Sequence, residues 1–243
     1  MTTSAAGNGP VALDERCPTL DTECQSTTLA VSSGFPTVES MNENHARLCS
    51  SPEWMEWIAD ELLPDLTRKV DLGAQCLEIG PGPGAATEWL RHHVDRLTAV
   101  EVDEQAALAL TERYAGTNVE VVVADATSLG FPDSSFDSVG CFTMLHHVPT
   151  PAAQSELLAG AFRVLRPGGV LVGADSRASD ALRDFHHGDT YNPIAPPLLL
   201  AHLLDCGFAG VTVDVDYDLR FVARKPREAD DPTSSDEREV TLR

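Results

Sequence analysis

Between residues 75 and 206 the sequence interleaves two kinds of segment. Short apolar runs lie at 75–80, 97–102, 119–124, 136–142 and 169–174, and runs with helical periodicity lie at 84–93, 103–115, 151–165 and 196–206. The apolar runs are nearly continuous instead of alternating with polar residues, as strands buried on both faces are. Such strands joined through helices predict a doubly wound, mostly parallel sheet with helices on both sides, an α/β fold. Asp103 and Thr150 stand where helix N-caps are needed, and Gly207 stands where the last helix must end. The chain closes differently. Residues 210–215 and 217–224 are alternating β-rich runs with no helix between them, which predicts a C-terminal antiparallel hairpin.

The flanks divide the 243 residues further. Residues 1–40 are rich in Ser, Thr, Gly and Pro without any period, and read as a disordered segment. Residues 226–243 are charged and polar, and read as a disordered acidic tail. One domain is expected over 41–225, opened by a helical cap over 41–70. In that cap Ser51 and Pro52 form a start signal, and Trp54, Ile58 and Leu62 recur four apart as an apolar stripe. A long polar insertion over 176–193 reads as a lid.

Acids outnumber bases 38 to 17, for a net charge of −21. That balance repels phosphate backbones and anionic lipid, so neither nucleic acid nor a membrane is expected as a partner. The six cysteines, Cys17, Cys24, Cys49, Cys76, Cys141 and Cys206, are scattered, with no CxxC pair, which fits a reducing compartment. No basic stretch followed by an apolar core opens the chain, and no apolar run approaches the roughly 18 residues of a membrane helix. The expectation is a cytoplasmic protein, monomer or homodimer.

The first strand runs into CLEIGPGPG, Cys76 to Gly84. In a doubly wound sheet the ligand lies at the carboxyl ends of the strands, where strand order reverses, and this turn is that place. Gly80, Gly82 and Ala85 satisfy a loose dinucleotide-binding pattern, and Glu101 follows Gly80 by 21 residues, where an acid can hold ribose hydroxyls. Two residues argue against a pyrophosphate. The Glu78 carboxylate would repel it, and Pro83 removes a backbone N–H from its cradle. A ribose-bearing ligand with positive charge and no phosphate suits the loop better, and S-adenosylmethionine is one.

At this point the sequence resembles the class I S-adenosylmethionine-dependent methyltransferases, particularly the small-molecule enzymes, over about residues 44–224. Glu78-Ile-Gly80-Pro-Gly82-Pro-Gly84 is similar to the family's acid-x-Gly-x-Gly-x-Gly motif. Val100-Glu101-Val102-Asp103 resembles its second-strand end, Ala124-Asp125-Ala126 its third-strand end, Phe136 to Val148 its fourth strand and active-site wall, and Leu165 to Gly169 the turn before its fifth strand. The resemblance implies a Rossmann-like, seven-stranded sheet carrying the hairpin and the N-terminal cap. It implies that Glu78, Gly80, Gly82 and Gly84 line the cofactor, that Glu101, with Val102 beside it, holds both ribose hydroxyls, and that Asp125 and the N–H of Ala126 meet the adenine.

Methyl transfer from a sulfonium is an in-line displacement with an activated leaving group, so alignment in a dry pocket is the protein's main task. A general base is needed only for a protonated acceptor. The candidates are His146 and His147 after the fourth strand, and His186, His187 and Tyr191 in the insertion. On an extended segment His146 and His147 would point opposite ways, so at most one should face substrate. Asp175 ends the fifth strand and is also placed to face the pocket, and His45 and Arg47 precede the Trp54 helix, in reach of cofactor or substrate. His186, His187 and Asp189 are conceivable as a metal set, but their spacing is not diagnostic, and no metal is expected. Small-molecule methyl transfer is the leading expectation. The same cofactor in a non-methylation reaction such as cyclisation, a nicotinamide oxidoreductase, and a non-catalytic binding protein on the same fold remain open.

Overall fold

The computed structural model describes residues 42–227 and 240–243. The expected disordered segment 1–40 and most of the expected tail lie outside the described residues. Five parallel strands form the body of the sheet: β1 (Gln75–Ile79), β2 (Arg96–Glu101), β3 (Val119–Val123), β4 (Phe136–Phe142) and β5 (Leu165–Asp175). The hairpin strands β6 (Ala209–Val215) and β7 (Leu219–Arg224) pair with each other, and β7 pairs with β5, all antiparallel. Spatial order is β3-β2-β1-β4-β5-β7-β6-β8, so the sequence order reverses between β1 and β4.

The eighth strand, β8 (Val240–Leu242), corrects both the expected count of seven and the expected disorder of the chain end. Val240, Thr241 and Leu242 run parallel to Val211, Thr212 and Val213. This short β-favouring triplet covers the otherwise open edge of β6. Its signal is hidden in composition by the charged stretch before it.

Side-chain alternation divides the core between two faces. Leu77, Ile79 and Leu171 pack with Leu157, Leu158 and Ala161 of α6 (Pro151–Val164) and with Leu199 and Leu203 of α8 (Pro196–Asp205). Cys76, Val170 and Val172 point the other way, onto α4 (Ala85–Leu90) and the N-terminal helices. α5 (Glu104–Arg113) follows β2, and Asp103 caps it by accepting from the N–H groups of Gln105 and Ala106, as expected. Thr150 caps α6 likewise, and Gly207 leaves α8 at φ +99°.

The cap begins with α1 (Glu43–Cys49), then α2 (Pro52–Trp57) with Ser51 as N-cap. The helix runs on past Leu62, within the expected 41–70 cap. It passes through a π-helical turn, Ile58–Leu62, into α3 (Leu63–Thr67). Pro64 has no N–H for the Asp60 carbonyl, and the bond made here is the wider one from Leu63 N–H to Ile58 O. Ile58 and Leu62 are buried by this turn. β5 is longer than expected, but its register against β4 jumps from Leu165 opposite Phe136 to Val170 opposite Ser138. The expected turn Leu165–Gly169 is therefore an irregular excursion inside the strand, where β5 advances five residues against two of β4.

Candidate cofactor and acceptor site

β1 ends at the reversal point, and Gly80, Gly82 and Gly84 all have positive φ, +66°, +52° and +87°. Two of them have separate reasons. A Cβ on Gly84 would stand 2.8 Å from Leu110 Cδ2, and the Gly84 carbonyl accepts from the Tyr114 hydroxyl at 3.2 Å, so the loop is clamped to α5. A Cβ on Gly82 would meet nothing within 4 Å. Its backbone faces open space, as a backbone that receives a ligand must.

Two carboxylates flank that opening. Glu78 is 1% exposed and accepts from the Thr87 hydroxyl at 2.7 Å. Burial drives its carboxyl up to about 8, and the neighbouring Glu101 charge adds to the rise. Glu101 ends β2, with one oxygen accepting from Gly82 N–H at 3.1 Å and the other from the N–H groups of Val102 and Asp103 at 2.9 and 3.0 Å. One carboxylate thereby ties the glycine loop to the start of α5. Val102 is exposed. Asp125, also exposed, caps the short turn Ala126–Ser128 by accepting from Thr127 N–H and hydroxyl, both at 2.8 Å. A buried acid, a ribose-height acid and an open glycine backbone fit a cationic nucleoside without phosphates.

The far side of the opening is set by the end of β4. Thr143 has φ +52°, rare for a β-branched residue, and its N–H donates to Ala174 O at 2.7 Å. This bend turns Met144 against Gly80 and starts the turn Leu145–His147. Thr143 also lines two adjoining cavities. One, of about 250 Å³, is walled by Trp54, Trp57, Ser176, Tyr217 and Asp218. The other, of about 70 Å³, is walled by Trp54, Cys49, Leu182, Phe185, His146 and His186.

Behind the smaller cavity four histidines meet. His146 and His147 do not diverge as expected. The chain there is a tight helical turn, not an extended segment, and their rings lie 4.1 Å apart. His186 comes from the end of α7 (Asp180–Phe185), within the 176–193 insertion, and its Nε2 is 3.2 Å from His146 Nε2. His45 comes from α1, with its ring 4.5 Å from that of His186 and 4.8 Å from that of His147. Burial, with the neighbouring imidazoles, pushes His45 down to about 4 and His147 to about 2, and burial also lowers His186. Asp175 is 1% exposed. It accepts from the His146 ring Nδ1, from His146 N–H at 3.0 Å and from Ser176 N–H at 2.6 Å.

The other expected residues lie elsewhere. His187 is exposed, on the outer side of the insertion. The Tyr191 hydroxyl is held at the backbone of Ser179, accepting from its N–H at 3.2 Å, while its ring packs 5.0 Å from His186. Arg47 is exposed and donates to Asn44. Asp189 N–H donates to His186 O at 2.8 Å, but its carboxylate turns to α1 and not to the His186 ring nitrogens. It accepts from His45 Nδ1 at 3.1 Å and from Asn42 N–H at 2.5 Å. Gln154 and Asn192 gave no sequence signal, yet they fasten the insertion. Gln154 Nε2 donates to Leu145 O and Asn192 O, and Asn192 N–H to His146 O. Isolated amides inside a helix and a loop carry no motif.

Sheet order, the reversal-point glycine loop and the acid at the end of β2 define the fold of the class I S-adenosylmethionine-dependent methyltransferases. Residues 77–173 match a family model described as a methyltransferase domain. The chain is 33% identical over 102 residues to a ubiquinone biosynthesis O-methyltransferase of Pseudomonas fluorescens, a match covering 40% of this chain and 42% of that protein. It is 32% identical over 110 residues to a 2-methyl-6-phytyl-1,4-hydroquinone methyltransferase of Synechocystis, covering 44% and 34%. The chain thus spans less than half the length of these curated relatives. In fold it is similar to the N-methyltransferase NodS of Bradyrhizobium japonicum, solved with S-adenosyl-L-homocysteine, at TM-score 0.60 and 22% identity, covering 76% of this chain and 94% of that one. Among the described residues no helix is long and apolar enough to cross a membrane.

Proposed function

We propose that the protein transfers a methyl group from S-adenosylmethionine to a small-molecule acceptor. The observation that carries this reading is the Glu101 carboxylate, bonded to Gly82 N–H at the mouth of the loop with buried Glu78 behind it. Glu101 would hold the ribose hydroxyls, Glu78 would face the positively charged methionine end, and Asp125 with Ala126 N–H would meet the adenine. When bound, the cofactor supplies a methyl group on a positively charged sulfur.

The acceptor's place is the pair of cavities beside Thr143. Their aromatic walls, Trp54, Trp57, Tyr217 and Phe185, suit a flat or largely apolar molecule. The relatives named for quinone and hydroquinone methylation favour a ring acceptor of that kind. The insertion and α1 close this chamber together, since Asn42 Nδ2 donates to Phe185 O at 2.9 Å. The experiment has two parts. Calorimetry should give saturable binding of S-adenosylhomocysteine and none of NAD. Incubation of S-adenosylmethionine with a panel of phenols, hydroquinones and amines should then give a product one methylene heavier. Binding of NAD in place of S-adenosylhomocysteine would remove the reading.

A further inference from the structure

We propose that His45, His146, His147 and His186 bind a divalent transition-metal ion of the zinc class. Each offers one ring nitrogen to a common centre, and the four nitrogens lie within 4.8 Å of one another. The His146 and His186 Nε2 atoms, 3.2 Å apart, already have the edge of a tetrahedron with metal–nitrogen bonds of about 2.0–2.1 Å, which is roughly 3.3 Å. Closing the widest pair to that edge moves each ring by less than about 1 Å.

The hydrogen bonds behind the rings fix which nitrogens face inward. His45 Nδ1 meets the Asp189 carboxylate, His146 Nδ1 meets the Asp175 carboxylate, and His186 Nδ1 meets the Leu182 carbonyl at 2.7 Å. All three partners only accept, so all three Nδ1 atoms carry the proton and donate. Each Nε2 is then a lone pair directed into the cluster. With the rings neutral, two such lone pairs 3.2 Å apart repel unless a metal ion or a shared proton lies between them. Imidazoles oriented from the rear by carboxylates and carbonyls are the usual surroundings of a metal ion. Asp175 and Asp189 also supply two negative charges against a doubly charged ion.

The four ligands come from three places in the chain: α1, the turn after β4, and the end of α7. α1 has 7 residues and α7 has 6, too few to be stable alone. An ion at their junction would clasp both covering segments onto the sheet beside the acceptor cavity. This stands apart from the methyl-transfer reading, because it requires no cofactor or acceptor.

The test uses untagged full-length protein, stripped by a chelator and titrated with Co²⁺ while visible ligand-field absorption is followed. One equivalent should bind with the intense spectrum of a tetrahedral site, and Zn²⁺ should displace it. His146→Ala and His186→Ala should each weaken binding at least 100-fold. If either fails to fold, Asp175→Asn and Asp189→Asn keep every ligand and should still cost 10–100-fold, as loss of such supporting partners does. The exposed pair His92→Ala/His93→Ala should bind as wild type does. No saturable tetrahedral spectrum in the wild type, or equal affinity in the Asp175 and Asp189 variants, would overturn the proposal.

Discussion

Replacing Glu78 by Gln should make the cofactor-free protein more stable above neutral pH while weakening its ligand binding. The Glu78 carboxyl lies at about 8 in the folded state against 4.5 for the ordinary group. Burial is the first cause, Glu101 adds to it, and the Thr87 hydroxyl opposes it. The folded state therefore holds this proton more tightly than the unfolded chain does. Stability from this group is complete below pH 4.5, declines as pH rises, and is lost once pH passes about 8. At about 1.4 kcal/mol per pH unit, the loss is roughly 3 kcal/mol at pH 7 and approaches 5 above pH 8. Gln is neutral throughout, has the same shape and still accepts from Thr87. Urea unfolding of both proteins from pH 5 to pH 8.5 isolates the effect, because all other titrations cancel in the difference. The gap should be near zero at pH 5 and widen steadily with pH. A gap that stays constant across the range would refute the reasoning.

Four further outcomes follow from the same geometry. Binding of S-adenosylhomocysteine near pH 7 should release a proton, since its ammonium group placed beside Glu78 draws that carboxyl back down; calorimetry in buffers of different ionisation enthalpy reads this, and no buffer dependence would count against the pairing. Glu101→Ala should lower affinity for that ligand at least tenfold, because hydrogen bonds to charged groups contribute roughly 1.5–3 kcal/mol each, with the circular dichroism spectrum retained. Gly82→Ala should cost the fold only about 1–2 kcal/mol for its left-handed backbone yet abolish measurable binding, since its Cβ enters the ligand's space; comparable binding by mutant and wild type would move the cofactor elsewhere. Trp54→Ala, which opens both cavities, should raise the acceptor KM at least tenfold while S-adenosylhomocysteine affinity stays within twofold, and an unchanged KM would place the acceptor outside this chamber.

The sheet was legible because its signals are local. The run Cys76 to Ile79 is apolar apart from Glu78, and a run of that kind with a glycine after it has few other readings. Caps at Asp103, Thr150 and Ser51 are single residues that act within one turn. What escaped depends on distant partners or on backbone detail. β8 needs β6 to become a strand, and three residues carry no period. The π-helical turn follows from Pro64 only when the burial of Ile58 and Leu62 forces the helix to continue past it.

The histidine cluster escaped for a different reason, and the error about His146 and His147 shows it. The divergence of neighbours holds for extended backbone, but Thr143 leaves β4 at φ +52° and the chain turns at once into a short helix. Within such a turn consecutive side chains point about 100–120° apart, near enough for both rings to reach one centre. His186 and His187 invert the lesson. They sit where α7 ends, one buried and the other exposed, so a single helical step decides which of two identical neighbours belongs to the site. His45 lies about a hundred residues before His146, and its helix is brought there by contacts across the same junction, among them Asp189 with His45 and with Asn42. A sequence shows which residues can do chemistry. Here it is the supporting acceptors, Asp175, Asp189 and the Leu182 carbonyl, that determine which nitrogen atoms face one another, and two of those three act through a fold contact that no spacing encodes.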